Sequence, residues 1–257
     1  MRHWIKRVVA LAAPLLLTGC LWGPGKFASD LTLRKDGSFV LDYRGEIVLQ
    51  TPPDQSTEPW TQSKAKCLEA AKARPCTPAE ITEQKGAYEK KRADSEQMAK
   101  MFGLPGLDDD SNRAFAAKLM KYAGWRSVTY RGKGVFDVDY HMEGRATQDF
   151  LFPALPDNNL IIPFVAVRRR TDGSVLVTAP AFTGGAGPMS PAAAGAGDMA
   201  QGQGPVSHAQ GRFTIVTDGE ILTNNSEDGP APHSIGRQLH WDVNSASNKI
   251  PEALIRL

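Results

Sequence analysis

Three of the chain's four Asp-Gly pairs, at 36–37, 172–173 and 218–219, each sit between stretches in which apolar and polar residues alternate. Asp-Gly supplies the backbone freedom that tight hairpin turns need, and period-two alternation sends one set of side chains to each face of a strand. Leu31 and Leu33 precede the first turn; Phe39, Leu41 and Tyr43 follow it, and residues 46–50 extend the pattern. Residues 161–167 and 175–178 flank the second turn, and 213–217 and 220–222 the third. Residues 125–130 and 134–140 read as another antiparallel pair, with Phe136, Val138 and Tyr140 on one face and Asp137 and Asp139 on the other. Such alternation predicts an antiparallel sheet with one solvated face. Residues 238–243 add a strand, and 250–257 close the chain as a strand or short helix.

Between these groups of strands the pattern turns helical. Residues 51–61 read as a loop, and residues 62–73, rich in Ala, Lys and Glu, as a helix. Thr77-Pro78-Ala79-Glu80 has the form of a capping box with Pro at the first helical position, opening a helix to about Met101. Its charges are many and mixed, as on a solvated helix. Asp108-Asp109-Asp110 precedes a helix over 112–123, where Phe115, Leu119 and Tyr122 form one apolar stripe. The first strands are too few to fold alone. The expected class is therefore α+β: a mainly antiparallel twisted sheet with a helical insertion, about 62–123, packed on it. Residues 183–210 are mostly Gly, Ala, Pro, Ser and Gln, and read as a flexible loop within a single domain over 31–257.

The first 19 residues belong to a different category. Arg2, Lys6 and Arg7 precede an apolar run over 8–17, followed by Leu17-Thr18-Gly19-Cys20. A basic start, a short apolar run and small residues at the end make a signal peptide; about 20 apolar residues would be needed to span a bilayer. The Leu-x-Gly-Cys box resembles the lipobox of bacterial lipoproteins. That resemblance implies cleavage before Cys20 and acyl chains on it. Residues 20–30, with Gly23, Pro24 and Gly25, then read as a lipidated tether. Leu21, rather than Asp, after the cysteine resembles an outer-membrane address. Localisation follows as an expectation: the cell envelope, on a periplasm-facing lipid anchor, at the outer membrane.

Composition narrows the partners. Removing residues 1–19 deletes three cations, so 30 basic residues become 27 against 28 acidic, and the formal charge moves from +2 to −1. A near-neutral chain has no global electrostatic reason to seek nucleic acid. With Cys20 assigned to lipid, Cys67 and Cys76 remain as a pair in an oxidising compartment, which predicts a disulfide. Their nine-residue spacing fits neither Cys-x-x-Cys redox chemistry nor common zinc spacing.

Catalytic signatures are sparse. There is no Gly-x-Ser-x-Gly, no phosphate-binding Gly-rich loop and no dinucleotide fingerprint. His141, His208, His233 and His240 have no partner at metal-ligand spacing. Asp108–Asp110 lack the ligand order and central Gly of a calcium loop and read as helix-capping carboxylates. Arg168, Arg169 and Arg170 end a strand, and alternation turns the middle one away from its neighbours. The reading is a non-enzyme with no cofactor and no metal.

The order of features carries a further resemblance. A lipobox is followed by Leu31-Thr-Leu-Arg-Lys-Asp-Gly-Ser-Phe39; the chain ends on Gly211-Arg-Phe-Thr-Ile215, Asp218-Gly-Glu220 and Gly236-Arg-Gln-Leu-His-Trp241. This resembles proteobacterial lipoproteins and, more distantly, the LppM-type lipoprotein domain of actinobacteria. The resemblance implies an α+β binding domain for a lipid or other hydrophobic ligand. Independently of it, the lipid anchor, the one-faced strands and the absence of catalytic motifs make Phe115, Tyr122, Phe136, Val138 and Tyr140 candidate cleft residues, although ordinary core packing accounts for all five and is the preferred reading. The alternative is a structural or assembly lipoprotein that binds another envelope protein.

Overall fold

β1 (Leu21–Leu33) and β2 (Ser38–Gln50) form a long hairpin across the first Asp-Gly turn. Gly37 takes φ +83°, and Asp36 Oδ1 accepts from the backbone N–H and hydroxyl of Ser38 at 2.8 and 2.6 Å. The computed structural model describes residues 21–50, 60–69, 72–101, 105, 108–154, 163–186 and 206–257. Cys20 and the signal segment lie outside these residues, as do 187–205 of the Gly/Ala-rich stretch and the start of the strand expected from Ile161.

The expected tether is corrected by β1 itself. Residues 21–30 are strand, with Trp22 and Phe27 buried. Pro24 is tolerated because only β2 lies beside β1 there; the other neighbour joins from Lys26 onward. A bulge between Pro24 and Phe27 absorbs the irregularity, opposite Gly45. Gly45 has φ +149°, and a Cβ there would sit 2.2 Å from the Lys26 carbonyl oxygen. Burial of two large aromatics outweighs the local cost of Gly and Pro.

The remaining strands are β3 (Cys67–Glu69), β4 (Lys72–Arg74), β5 (Trp125–Gly132), β6 (Val135–Arg145), β7 (Phe150–Phe152), β8 (Val165–Arg169), β9 (Ser174–Thr178), β10 (Gly185–Ala186), β11 (Val206–Ser207), β12 (Gln210–Thr217), β13 (Glu220–Asn224), β14 (Ala231–His233), β15 (Gly236–Val243) and β16 (Glu252–Arg256). The single expected sheet is corrected to two principal ones. A seven-stranded sheet runs β14-β15-β12-β1-β2-β6-β5, and a five-stranded sheet runs β13-β16-β9-β8-β7. Among the described strands all pairs are antiparallel except β1 with β12, where Leu31 lies beside Ile215. The second sheet has its own reason to form. Val165, Val167, Val175, Val177, Ala253 and Ile255 need a partner face, and the first sheet offers Leu31, Leu41, Tyr43, Phe213 and Ile215. Aromatic rings bridge the two: Tyr43 lies 5.1 Å from Phe152, and Phe182 lies 4.2 Å from Phe27 and 5.4 Å from Phe213.

The insertion between β2 and β5 only partly packs on the sheet. Helix α1 (Pro78–Met101) opens as its capping box predicts: the Thr77 N–H donates to Glu80 Oε2 at 2.8 Å, and the Glu80 N–H to Thr77 Oγ1 at 3.3 Å. None of its described side chains is buried. Helix α2 (Asp109–Leu119) does pack, burying Phe115, Ala116 and Leu119. The helix expected over 62–73 is instead a 3-10 turn, Gln62–Lys64, and the β3–β4 hairpin. Cys67 and Cys76 are disulfide-bonded with Cα atoms 5.3 Å apart. A helix continuous from Cys67 to Cys76 would hold their Cα atoms about 13 Å apart, so the disulfide excludes one and suits a chain that doubles back.

Candidate functional site

The larger of two described pockets opens where the sheets part. Its volume is about 420 Å³, and its walls are β15, the turn after β13 and the β15–β16 loop. Phe182 and Trp241 supply apolar surface; Asn225, Asp228, His240 and Lys249 supply polar groups. Trp241 reaches this position because β15 alternates Leu239, Trp241 and Val243 toward the core. Its ring stacks on Phe213, with centroids 5.6 Å apart.

The walls are tied down by hydrogen bonds. Asn225 Oδ1 accepts from Trp241 Nε1–H at 3.0 Å and from the Glu252 N–H at 2.9 Å, while its Nδ2 donates to the Ile250 carbonyl at 2.7 Å. The Ser226 hydroxyl donates to the His240 carbonyl at 2.8 Å. In the β15–β16 loop, Asn244 Oδ1 accepts from the Ala246 N–H at 2.8 Å, and Ser247 Oγ accepts from the Asn244 N–H at 3.0 Å. His240 Nε2 lies 3.1 Å from Asp228 Oδ2. Asp242 is forked by Arg212, at 2.7 and 3.2 Å, and the guanidinium holds its carboxyl below the usual range. The result is a fixed wall of mixed donors and acceptors beside an indole, which suits a polar, hydroxyl-bearing ligand.

Four of the five residues expected to line an apolar cleft lie in the core. Phe115 meets Trp22 at 5.1 Å and Phe136 at 6.3 Å; Tyr140 meets Phe152 at 4.4 Å and Trp125 at 5.3 Å; Val138 is buried with them. Burial pushes the Tyr140 hydroxyl up to about 12. Tyr122 departs from the expected stripe and is exposed, because α2 ends at Leu119 before Gly124, whose φ is +92°. None of the five lines either described pocket.

The other polar candidates have local partners. Asp108 caps α2, accepting from the Ser111 N–H at 2.8 Å; Asp110 pairs with Arg113, and Asp109 accepts from the Tyr130 hydroxyl. His141 lies on β6 opposite Asp42 of β2, with Nδ1 2.8 Å from Asp42 and Nε2 3.1 Å from Glu143. Arg168 lies 3.9 Å from Asp149, while Arg169 turns the other way and donates to the Ala146 carbonyl. His233 Nδ1 accepts from the Ile235 N–H at 3.2 Å. Among the described residues no His, Cys, Asp and Glu group has the arrangement of a metal site, and no helix is long and apolar enough to cross a membrane. Asn225 and His240 were legible only as turn and strand residues. Nothing in their spacing reveals that the turn after β13 folds onto β15.

No protein family matches the chain, and no curated protein does. Among solved structures the chain is similar to the folded domain of the Mycobacterium tuberculosis LppM protein. The alignment covers 92% of this chain and 91% of that one, at 12% identity and a TM-score of 0.31. The LppM domain expected from the sequence is thus met as a structural neighbour, at a likeness too low to establish a common fold.

Proposed function

We propose that this chain is an envelope lipoprotein, anchored through acyl chains on Cys20, that works by binding at the open edge of its sandwich. The observation carrying this reading is the 420 Å³ cleft whose walls Asn225 ties together. A pre-formed wall of Asp228, His240 and Lys249 beside an indole favours a polar ligand over an acyl chain. Of the five side chains offered as lining for an apolar ligand, four are already used by the core. The address rests on the lipobox, and β1 adds a geometric consequence. Because the strand begins at Leu21, an anchor on Cys20 has no slack, and the domain stands directly on the bilayer.

The test uses the full chain purified from membranes in a mild nonionic detergent. Labelling with an alkyne analogue of palmitate reads the anchor, and Cys20→Ala abolishes it if the proposal holds. Native mass spectrometry after incubation with an envelope extract reads the cleft. A polar adduct that Asp228→Ala and His240→Ala both lose supports binding there. A stoichiometric apolar lipid retained equally by both variants overturns it.

A second reading, assembly with another envelope protein, is favoured by α1. This 24-residue helix has no described side chain buried, and a disulfide-closed hairpin holds its base. Photo-crosslinkers at Glu83 and Glu89 in intact cells would give one discrete product under this reading and none otherwise.

A further inference from the structure

The geometry points to a second binding site, for a phosphate-like oxyanion, at the pole of the sandwich remote from Leu21. A pocket of about 350 Å³ lies where the β1–β2 turn, the β8–β9 turn and the end of β16 meet. Lys35, Arg169 and Arg256 line it, with Asp36, Asp172 and Leu257 in the same walls.

The two aspartate side chains of this pocket are already engaged. Asp36 and Asp172 belong to two turns of identical sequence, Asp-Gly-Ser. In each, Oδ1 accepts from the serine hydroxyl at 2.6 Å and from the serine N–H, at 2.8 Å for Ser38 and 3.0 Å for Ser174. Arg34 and Arg145 stand near Asp36, and Arg170 near Asp172. The cations are less fully compensated. Arg256 spends one guanidinium nitrogen on Glu220, at 2.7 Å. Arg169 donates to a neutral carbonyl, that of Ala146. Lys35 uses its backbone N–H on Asp218, and no carboxylate among the described residues pairs with its ammonium. Gly37 and Gly173, at φ +83° and +82°, have open space where a Cβ would stand, so no side chain there crowds the mouth of the pocket; their N–H groups donate to the Arg34 and Arg170 carbonyls within the turns, which leaves anion recognition to the cationic side chains.

Two guanidinium forks and an ammonium around a concave pocket match an anion that accepts several hydrogen bonds and carries more than one charge. A phosphate monoester meets both demands. The site's orientation rests on the Cys20 anchor proposed above. β1 has 13 residues, and at about 3.3 Å each the pocket stands roughly 40 Å from Leu21. The bilayer holding the protein is then at the opposite pole, and the phosphate belongs to a soluble molecule rather than to that bilayer's headgroups.

The probe is inorganic [32P]phosphate in equilibrium dialysis against the full chain in nonionic detergent. The expected result is saturable binding of one phosphate per chain, weakened about tenfold or more by Lys35→Ala and by Arg169→Ala. Arg131→Ala, at the Leu21 pole, is expected to leave it unchanged. Lys35 is exposed, so its variant tests the site without disturbing the core. Absence of saturable binding up to about 10 mM, or equal affinity in all three variants, overturns the proposal. A second arm asks whether the Cys20→Ser chain co-sediments with vesicles of phosphatidylglycerol and phosphatidylcholine. Co-sedimentation that Lys35→Ala abolishes, without phosphate binding in dialysis, overturns a soluble phosphate in favour of headgroups. Dialysis needs no anchor, so failed palmitate labelling at Cys20 leaves its outcome standing.

Discussion

Trp241 and Asn225 are joined across the open edge of the sandwich: the indole Nε1–H donates to Asn225 Oδ1 at 3.0 Å. Through the same side chain's bonds to Glu252 and Ile250, β15 of the large sheet is tied to the start of β16 in the small one. Asn225→Ala removes all three hydrogen bonds. Asn225 is itself exposed, so water replaces part of the loss, and the expected cost is about 1–2 kcal/mol in urea unfolding. Tryptophan fluorescence of the native state should shift as the Trp241 N–H meets solvent.

Gly124 is expected to be intolerant of a side chain. Its φ is +92°, and a Cβ would lie 2.5 Å from the Tyr140 ring. Tyr140 is buried against Trp125 and Phe152 and has little room to retreat. Gly124→Ala should lower unfolding stability by about 2–4 kcal/mol, read as a reduced urea midpoint with an unchanged slope.

The packing of Phe115 and the exposure of Tyr122 predict opposite outcomes for two residues of one sequence stripe. Phe115→Ala loses an edge contact with Trp22 and should cost about 3–5 kcal/mol. Tyr122→Ala, on the surface after α2, should stay within about 0.5 kcal/mol of wild type. Parallel denaturation curves check both. Equal, small effects would mean that Phe115 lines a space rather than filling one.

Breaking the Cys67–Cys76 disulfide should act locally. Closing so short a loop is worth about 2–3 kcal/mol by chain entropy. That constraint supports the β3–β4 hairpin and, through the Arg74–Glu80 pair, the start of α1. Arg74 and the Thr77 cap hold the Glu80 carboxyl at about 2. Reduction is expected to raise amide exchange and protease cleavage over 60–101, while the main unfolding transition of the two sheets barely moves. A large fall in that transition would show the insertion to be part of the core's cooperative unit.

His141 supplies a pH dependence with a defined sign. Its hydrogen bond to Asp42 first, and that to Glu143 second, raise the imidazole pKa above its ordinary 6.5. A raised folded-state pKa contributes stability that is fully present below the unfolded value and lost as pH rises through the folded one. Thermal melts of wild type and His141→Gln from about pH 5 to about pH 8 should therefore differ most at the acid end and converge toward the alkaline end. A constant difference across that range would mean that His141 acts through packing alone.

Local chemistry made much of this protein legible from its residues. Asp-Gly turns set the hairpins at 36–37 and 172–173, alternation placed Phe136, Val138 and Tyr140 on one buried face, and Thr77 with Glu80 marked where α1 begins. Cys67 and Cys76 were paired by counting alone. These signals work because a turn, a cap or a strand face depends on neighbours a few residues away. What required the tertiary structure was everything set by distant partners. Gly23-Pro24-Gly25 reads as a break, but Trp22 and Phe27 find a core to bury in, and the segment becomes strand. The residues after β6 read as more of one sheet, but Val165, Val167, Val175, Val177, Ala253 and Ile255 form a second sheet, whose apolar face is covered by the first. Both pockets arise where segments far apart in the chain converge: Phe182 beside Trp241, and Lys35 beside Arg169 and Arg256. Periodicity along a strand records which face is buried; it holds no record of which other strand covers that face or of what gathers at its ends.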